Sequence, residues 1–313
     1  MTSHKFLSVS RCLSYVTAVF TAIAITSCGF NDEGEDTPAP TPGTPFPDVE
    51  ASYILSPETE SASVLPGDGS VNNPYLIRNA MELKLFTELV NSGEFKKTEE
   101  DVTTPTHVCL THDIKIADNY TWTPIGSCEH PFEGTFDGQG HCISGALHIS
   151  ATIEETIPQP ETGITWVTQK AGFFGYAENA DIGNIRISAD THFPARERWS
   201  YCGGLVAISS NTSIHNITYD GTIHIPTTQT AFMHQLNLGG IAGYMITGFF
   251  YNNEMNGRLQ FGTPDPQTKK ILGEHCNIGG LIGTEQSTDI QNSKNVADIN
   301  IDAGNAFRLR VGG

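Results

Sequence analysis

Charge is scarce in this chain. Lys, Arg, Asp and Glu make up 17% of its 313 residues, against about 25% in an average globular protein. Basic residues are the fewest: 17 Lys and Arg face 35 Asp and Glu, a formal net charge of −18. Phosphate backbones repel such a chain, which argues against nucleic acid as a partner. Apolar runs of about 20 residues, the length that crosses a bilayer, are absent. So are HExxH, GxSxG, CxxC and the glycine pattern of phosphate loops. Nothing therefore signals zinc-peptidase, α/β-hydrolase, nucleotide or dithiol chemistry, and no cofactor or metal is expected. Glycine, by contrast, is abundant at 31 residues. High glycine with low charge favours a turn-rich β protein over a helical bundle.

The N-terminus reads as a targeting segment. Lys5 and Arg11 precede an apolar stretch from Leu13 to Ile25, and the first 27 residues hold no acid. The stretch is too short to span a bilayer but fits the core of a signal peptide. It ends Ile25-Thr26-Ser27-Cys28, which resembles the bacterial lipobox. The resemblance implies cleavage before Cys28, lipidation of its thiol with palmitate-type chains, and a membrane attachment through lipid alone. Ordinary cleavage after Ala22-Ile23-Ala24 is the alternative. Residues 29–50 are acidic and then proline-rich, from Asp32, Glu33, Glu35 and Asp36 to Pro38, Pro40, Pro42, Pro45 and Pro47. Such a stretch buries too little apolar surface to offset its ordering entropy, and its prolines favour an extended spacer. Acidic residues just after the lipidated cysteine resemble the surface-export signal of Bacteroidetes lipoproteins. The expected organisation is a signal peptide over 1–27, a tether over 28–70 and one folded domain over 71–313, held at the outer membrane and facing the cell exterior.

Seven cysteines are present, at 12, 28, 109, 128, 142, 202 and 276. Removing Cys12 and Cys28 leaves an odd number, so one at least is free or pairs with another chain. The spacings fit no zinc pattern. Small buried side chains are the ordinary reading, with a Cys128–Cys142 bridge across a hairpin as an alternative.

The repeat carries most of the information. Copies start near 172, 204, 240 and 280, at Gly172, Gly204, Gly240 and Gly280. Asn184, Asn216, Asn252 and Asn292 each follow twelve residues later. Two residues before each asparagine stands Ile182, Ile214, Phe250 or Ile290. Five residues after the last three stands Gly221, Gly257 or Ala297, and an alternating strand follows: Ile223-His-Ile225, Leu259-Gln-Phe261, Ile299-Asn-Ile301. The spacings between starting glycines are 32, 36 and 40, so the core is constant and the length variation falls elsewhere. One copy cannot cover the apolar face of such short strands, whereas neighbouring copies can shield one another. The glycines suit corners where a Cβ would clash. The asparagines suit left-handed corners, or amide ladders running from copy to copy.

Gly280-Leu281-Ile282-Gly283 resembles the GLUG motif, as do Gly172-Phe173-Phe174-Gly175 and Gly240-Ile241-Ala242-Gly243. The second copy departs from it, with Ala207 in the last place. Trp122-Thr-Pro-Ile-Gly126 and Phe132-Glu-Gly-Thr-Phe-Asp-Gly-Gln-Gly-His141 resemble the opening turn common in such proteins. The resemblance covers roughly residues 70–313. It implies an all-β fold, a right-handed β-helix (β-solenoid), and surface display and binding more often than catalysis.

A short helix is expected to cap the first turn. Asn79 is a helix N-cap with Glu82 three residues on, and Met81, Leu85, Phe86, Leu89 and Val90 form an apolar stripe that ends at Gly93. At the other end Val311-Gly312-Gly313 opens a fifth copy, leaving an edge that either more chain or a partner would cover.

The segments of variable length fall at 151–169, 190–201, 226–237 and 262–277. All start from the same place in the repeat, so they are expected on one side, where binding surfaces gather. They hold Trp166, Arg196, Arg198, Trp199, Tyr201, Phe232, His234 and His275, residues suited to stacking on sugars or anchoring a protein. Packing of the loops on themselves is the competing reading. Glu133, Asp137 and His141 tempt an acid–base reading, but Asp137-Gly138 is a hairpin signal. His107 and His112 are spaced to face opposite sides of a strand. The sequons at Asn119, Asn211 and Asn216 carry no weight in a bacterial lipoprotein. The expected role is a binding or adhesion module for a glycan or a host or bacterial surface protein. A polysaccharide lyase or hydrolase, which needs clustered carboxylates or calcium, is one alternative. A spacer for a C-terminal domain such as a peptidase is another.

Overall fold

The computed structural model describes residues 50–95, 105–150, 153–159, 164–193, 199–225, 235–261, 275–301 and 308–312. The chain is predominantly β, with one α-helix among the described residues. The strands form sheets of 16, 4 and 6 strands. Pairing between them is parallel, except where Ile153–Gln159 runs antiparallel to Ile164–Ala171.

The pairing partners are the successive copies of the repeat. Trp199–Gly203, Gln235–Gly239, His275–Gly279 and Arg308–Gly312 align residue for residue. In the smallest sheet Phe174, Val206, Ala242 and Ile282 share one register row. In the largest, Phe136, Ile182, Ile214, Phe250 and Ile290 share another. The first four of that row are fully buried, whereas Ile290, in the last strand of the path, is 47% exposed. The contrast measures what a neighbouring copy supplies. Each large apolar side chain covered on both sides contributes roughly 1.5–3 kcal/mol relative to exposure.

The asparagines do both jobs anticipated for them. Asn184, Asn216, Asn252 and Asn292 have φ between 45° and 56°, in the left-handed region. Their amides also bond along the column. Asn216 Nδ2 donates to Asn184 Oδ1 at 2.8 Å, Asn252 Nδ2 donates to Asn216 Oδ1 at 3.3 Å, and Asn184 Nδ2 donates to Asp137 Oδ1 at 3.0 Å. The last glycine of the motif serves a different need. A Cβ at Gly243 would lie 2.6 Å from the Ala207 carbonyl oxygen and 2.8 Å from the Cys202 backbone. Only hydrogen fits where two sheets of adjacent copies meet at that corner.

Asn79 caps the helix Ala80–Ser92 by accepting from the Glu82 N–H, and Gly93 ends it at φ 80°. Phe86 packs against Phe132 and Phe136. The buried face is Ala80, Leu83, Phe86 and Val90. Met81 is 41% exposed, and Leu85 and Leu89 sit at the margin. The expected stripe was therefore displaced toward solvent, because Ala80 and Leu83 were left out of it.

Three further expectations need correction. Ile54–Leu55 pairs with Lys115 and Ile116, and Leu55 is fully buried. Strand structure is thus present before residue 71, since a short apolar pair finds a sheet edge to cover it. The variable segments are narrower than expected, because strand pairing extends into them from both ends. Ile153–Gln159, Ile164–Ala171, Asp181–His192, Trp199–Gly203, Gln235–Gly239 and His275–Gly279 all take residues from them. Finally, Cys142 is a buried free thiol, so no Cys128–Cys142 bridge forms. Its thiol is pushed up to about 12, by burial first and then by Asp113. Cys202 and Cys276 are likewise buried free thiols. Cys109 is disulfide-bonded.

Asn216 separates the two roles of the corner. Asn216→Ala should cost about 2–3 kcal/mol in chemical denaturation, combining left-handed strain with the loss of both ladder bonds. Asn216→Gly relieves the strain and should recover roughly 1 kcal/mol of that. Equal losses in the two variants would contradict the backbone role.

Candidate binding surface

The repeat places two outward rows at the two ends of the variable segments. The first lies on the largest sheet. Thr121, His148, His192, His224, Gln260 and Asn300 occupy successive strands in one register row. The second lies on the six-stranded sheet, where Thr168, Trp199, Gln235, His275 and Arg308 are aligned. The chain leaves the first row and returns at the second in each copy: His192 to Trp199, His224 to Gln235, Gln260 to His275 and Asn300 to Arg308. One set of insertions is therefore flanked by one set of outward side chains on either side.

Alternation explains why these side chains face out. Ile187, Ala189, Thr191 and Phe193 are buried, while Asp190 and His192 between them are exposed. Likewise Ile223 and Ile225 are buried on either side of His224. The imidazoles of His148 and His192 stack at 4.8 Å with planes 17° apart, and His192 and His224 lie 5.7 Å apart at 58°. The first pair is thus stacked face to face and the second is tilted. The side chains of His148, His192, His224, Gln260 and Asn300 make no hydrogen bond to another described residue. The asparagine column is the opposite case, since its amides are taken up by one another.

Burial holds the His192 imidazole below its usual range, and the neighbouring imidazoles of His148 and His224 reinforce the effect, against Asp190. Beside the row, Thr222 N–H donates to Asp190 Oδ1, and Arg258 and Asp298 form an exposed ion pair at 3.7 Å.

Of the residues anticipated from sequence, Arg196, Arg198, Phe232 and His234 lie outside the described residues, as does Cys28. Trp166 is on the strand Ile164–Ala171. Trp199 and His275 stand two strands apart in the second row, both partly exposed. Tyr201, on the same face of the strand two residues on, packs against the four-stranded sheet. Its ring stacks on Tyr244 at 5.8 Å and 20°, and its hydroxyl is pushed up to about 12, by burial first and then by Tyr244. Asn237 in the same corner accepts from Thr284 Oγ1 at 2.6 Å and from Asn277 Nδ2 at 2.9 Å. That corner is filled by its own side chains.

Other polar groups have structural explanations. Asp137 Oδ1 accepts from the Gln139 N–H at 2.9 Å, closing the turn that the Asp-Gly pair signals. His141 pairs with Asp113 at 3.1 Å instead, and His112 lies between Tyr53 and His141. His215 is buried with Nε2 on Asp181 at 2.9 Å, Nδ1 facing the Asn216 amide and its ring on Tyr251. Among the described residues, no group of three or more His, Cys, Asp or Glu is arranged to hold a metal ion, and no helix is long and apolar enough to cross a membrane.

The imidazole row was missed in the sequence, although a signal was there. His192, His224, Gln260 and Asn300 each lie eight residues after the corner asparagine of their copy. No family model, no curated protein and no solved structure matches this chain.

The titration of the row is a direct check. An NMR pH series should place His192 below 6.5, and both His148→Ala and His224→Ala should raise it toward that value. Because the folded value is depressed, the unfolded chain binds the proton first. Stability is therefore lost as pH falls from about 6.5 through the folded value. A His192 that titrates unchanged in both variants would contradict the coupling.

Proposed function

We propose that this protein is a lipid-anchored surface binding module, built as a right-handed β-helix, that takes up a glycan along the side carrying the variable segments. The observation that carries this reading is the pair of register rows flanking those segments. They place imidazole and amide groups, with Trp199 and His275, at regular intervals on one side. Parallel pairing of every copy with the next supports the β-helix. Neutral donor and acceptor groups beside an indole suit sugars, whose hydroxyls need hydrogen bonds and whose C–H faces need rings. The lipobox at Cys28 and the acidic, proline-rich stretch after it support an outer-membrane tether that holds the module away from the membrane.

Two measurements on the full chain test this. Radiolabelled palmitate should enter the wild type and not Cys28→Ala; a Cys28 thiol engaged in a disulfide, and so unavailable for lipid, would overturn the anchor. A glycan and surface-protein array, run beside an assay for released reducing ends, should give glycan binding without product. Trp199→Ala and His192→Ala should each weaken that binding at least tenfold while leaving the thermal midpoint within a few degrees. Product release, or capture of proteins only, would overturn the glycan reading.

A further inference from the structure

The spacing of the first row says more about what it would hold. Resting on the glycan reading above, we infer that the row His148, His192, His224, Gln260 and Asn300 binds a neutral, extended β-1,4-linked glycan lying along the direction in which the copies succeed one another, one sugar to each strand.

Period is the first argument. Neighbouring strands are about 4.8 Å apart, and the His148–His192 ring spacing is 4.8 Å. Any ligand that repeats its contacts along this row must advance by close to that step. An extended peptide presents side chains on one face every two residues, roughly 6.7 Å, and falls out of step within two strands. A flat β-1,4-linked chain advances by close to one strand spacing per sugar with alternate sugars turned over, so it presents the same edge at every second strand and stays straight. An α-1,4-linked chain curls away from a straight row. Over the six strands from Thr121 to Asn300, the row runs roughly 24 Å at that spacing.

Chemistry is the second argument. The row is made of groups that both donate and accept, with no fixed charge: three imidazoles followed by two amides. Each of these side chains carries a nitrogen able to bond a hydroxyl. None of the five side chains makes a hydrogen bond to another described residue. Charge decides between glycans. The chain carries a formal net charge of −18, and beside the row stand Asp190 and the mutually neutralising Arg258–Asp298 pair. A polyuronate meets repulsion there, whereas a neutral chain does not.

The test uses the full chain and defined oligosaccharides in calorimetry at neutral pH. The probes are β-1,4-linked glucose and N-acetylglucosamine oligomers of two to eight sugars, α-1,4-linked glucose oligomers, and oligogalacturonate. Affinity for the β-1,4-linked series should rise with length to about five or six sugars and then level. The α-linked and acidic series should bind at least tenfold more weakly. His192→Ala, at the middle of the row, should cost at least tenfold on the hexamer, and Asn300→Ala, at its end, less. Imidazole NMR shifts of His148, His192 and His224 should move together on titration with the hexamer. Affinity independent of length, equal binding of the α-linked series, or unmoved imidazoles would overturn the row as the site. Binding of other array glycans in that event would leave the broader glycan reading standing. No glycan binding anywhere would remove both.

Discussion

The structure depends on parallel, in-register pairing between copies of one short motif. Ile182, Ile214 and Phe250 are buried because each has a counterpart above and below in the next strands, and Ile290 is half-exposed where the row reaches the sheet edge. A register slip by one residue would turn the whole buried row outward. The corners defend against that slip. Left-handed asparagines recur at a fixed place in each copy, and glycines such as Gly243 stand where backbone lies within 3 Å of any added Cβ.

The same constraint that aligns the interior also aligns the exterior. Outward residues cannot be chosen copy by copy without landing in a row, so chemistry on this scaffold comes in columns with a fixed step. Two columns show the range of outcomes. In the asparagine column the amides of Asn184, Asn216 and Asn252 are spent on their neighbours, and the result is stiffness. In the imidazole column His148 stacks on His192, His224 lies tilted beside it, and charging of His192 is disfavoured by burial and by its neighbours. The first is a structural ladder, and the second is the feature on which the proposed binding role stands.

Much of this was legible in the sequence, because the signals were local or periodic. The Gly-to-Asn spacing of twelve, the apolar residue two before each asparagine, and the Asn79 cap with its Gly93 stop all appear as read. The β-helix assignment rests on the same spacing together with the parallel sheets. What escaped had non-local causes. His148 lies ahead of the first full copy, so its alignment with His192 and His224 emerges only from strand register. Trp199, Tyr201 and His275 were expected on loops but lie on strands, because pairing extends beyond the conserved core into segments of variable length. Tyr201 then packs on Tyr244, a contact between two copies that no linear reading shows. Met81 is exposed because the helix rests on Ala80 and Leu83 rather than on the bulkier stripe beside them.

Disulfide trapping between successive copies tests the register most directly. Asp190 and Thr222 stand opposite one another on neighbouring strands, joined by the Thr222 N–H to Asp190 Oδ1 bond at 3.1 Å. Cysteines placed at both positions would lie within the Cα separation a disulfide spans, about 4.4–6.8 Å. Cysteines at 190 and 224 are displaced by two residues along the strand and fall outside it. Under mild oxidation, Asp190→Cys with Thr222→Cys should cross-link rapidly and Asp190→Cys with His224→Cys should not. Preferential cross-linking of the second pair would show that the copies are not aligned as described, and the rows built on that alignment would fail with it.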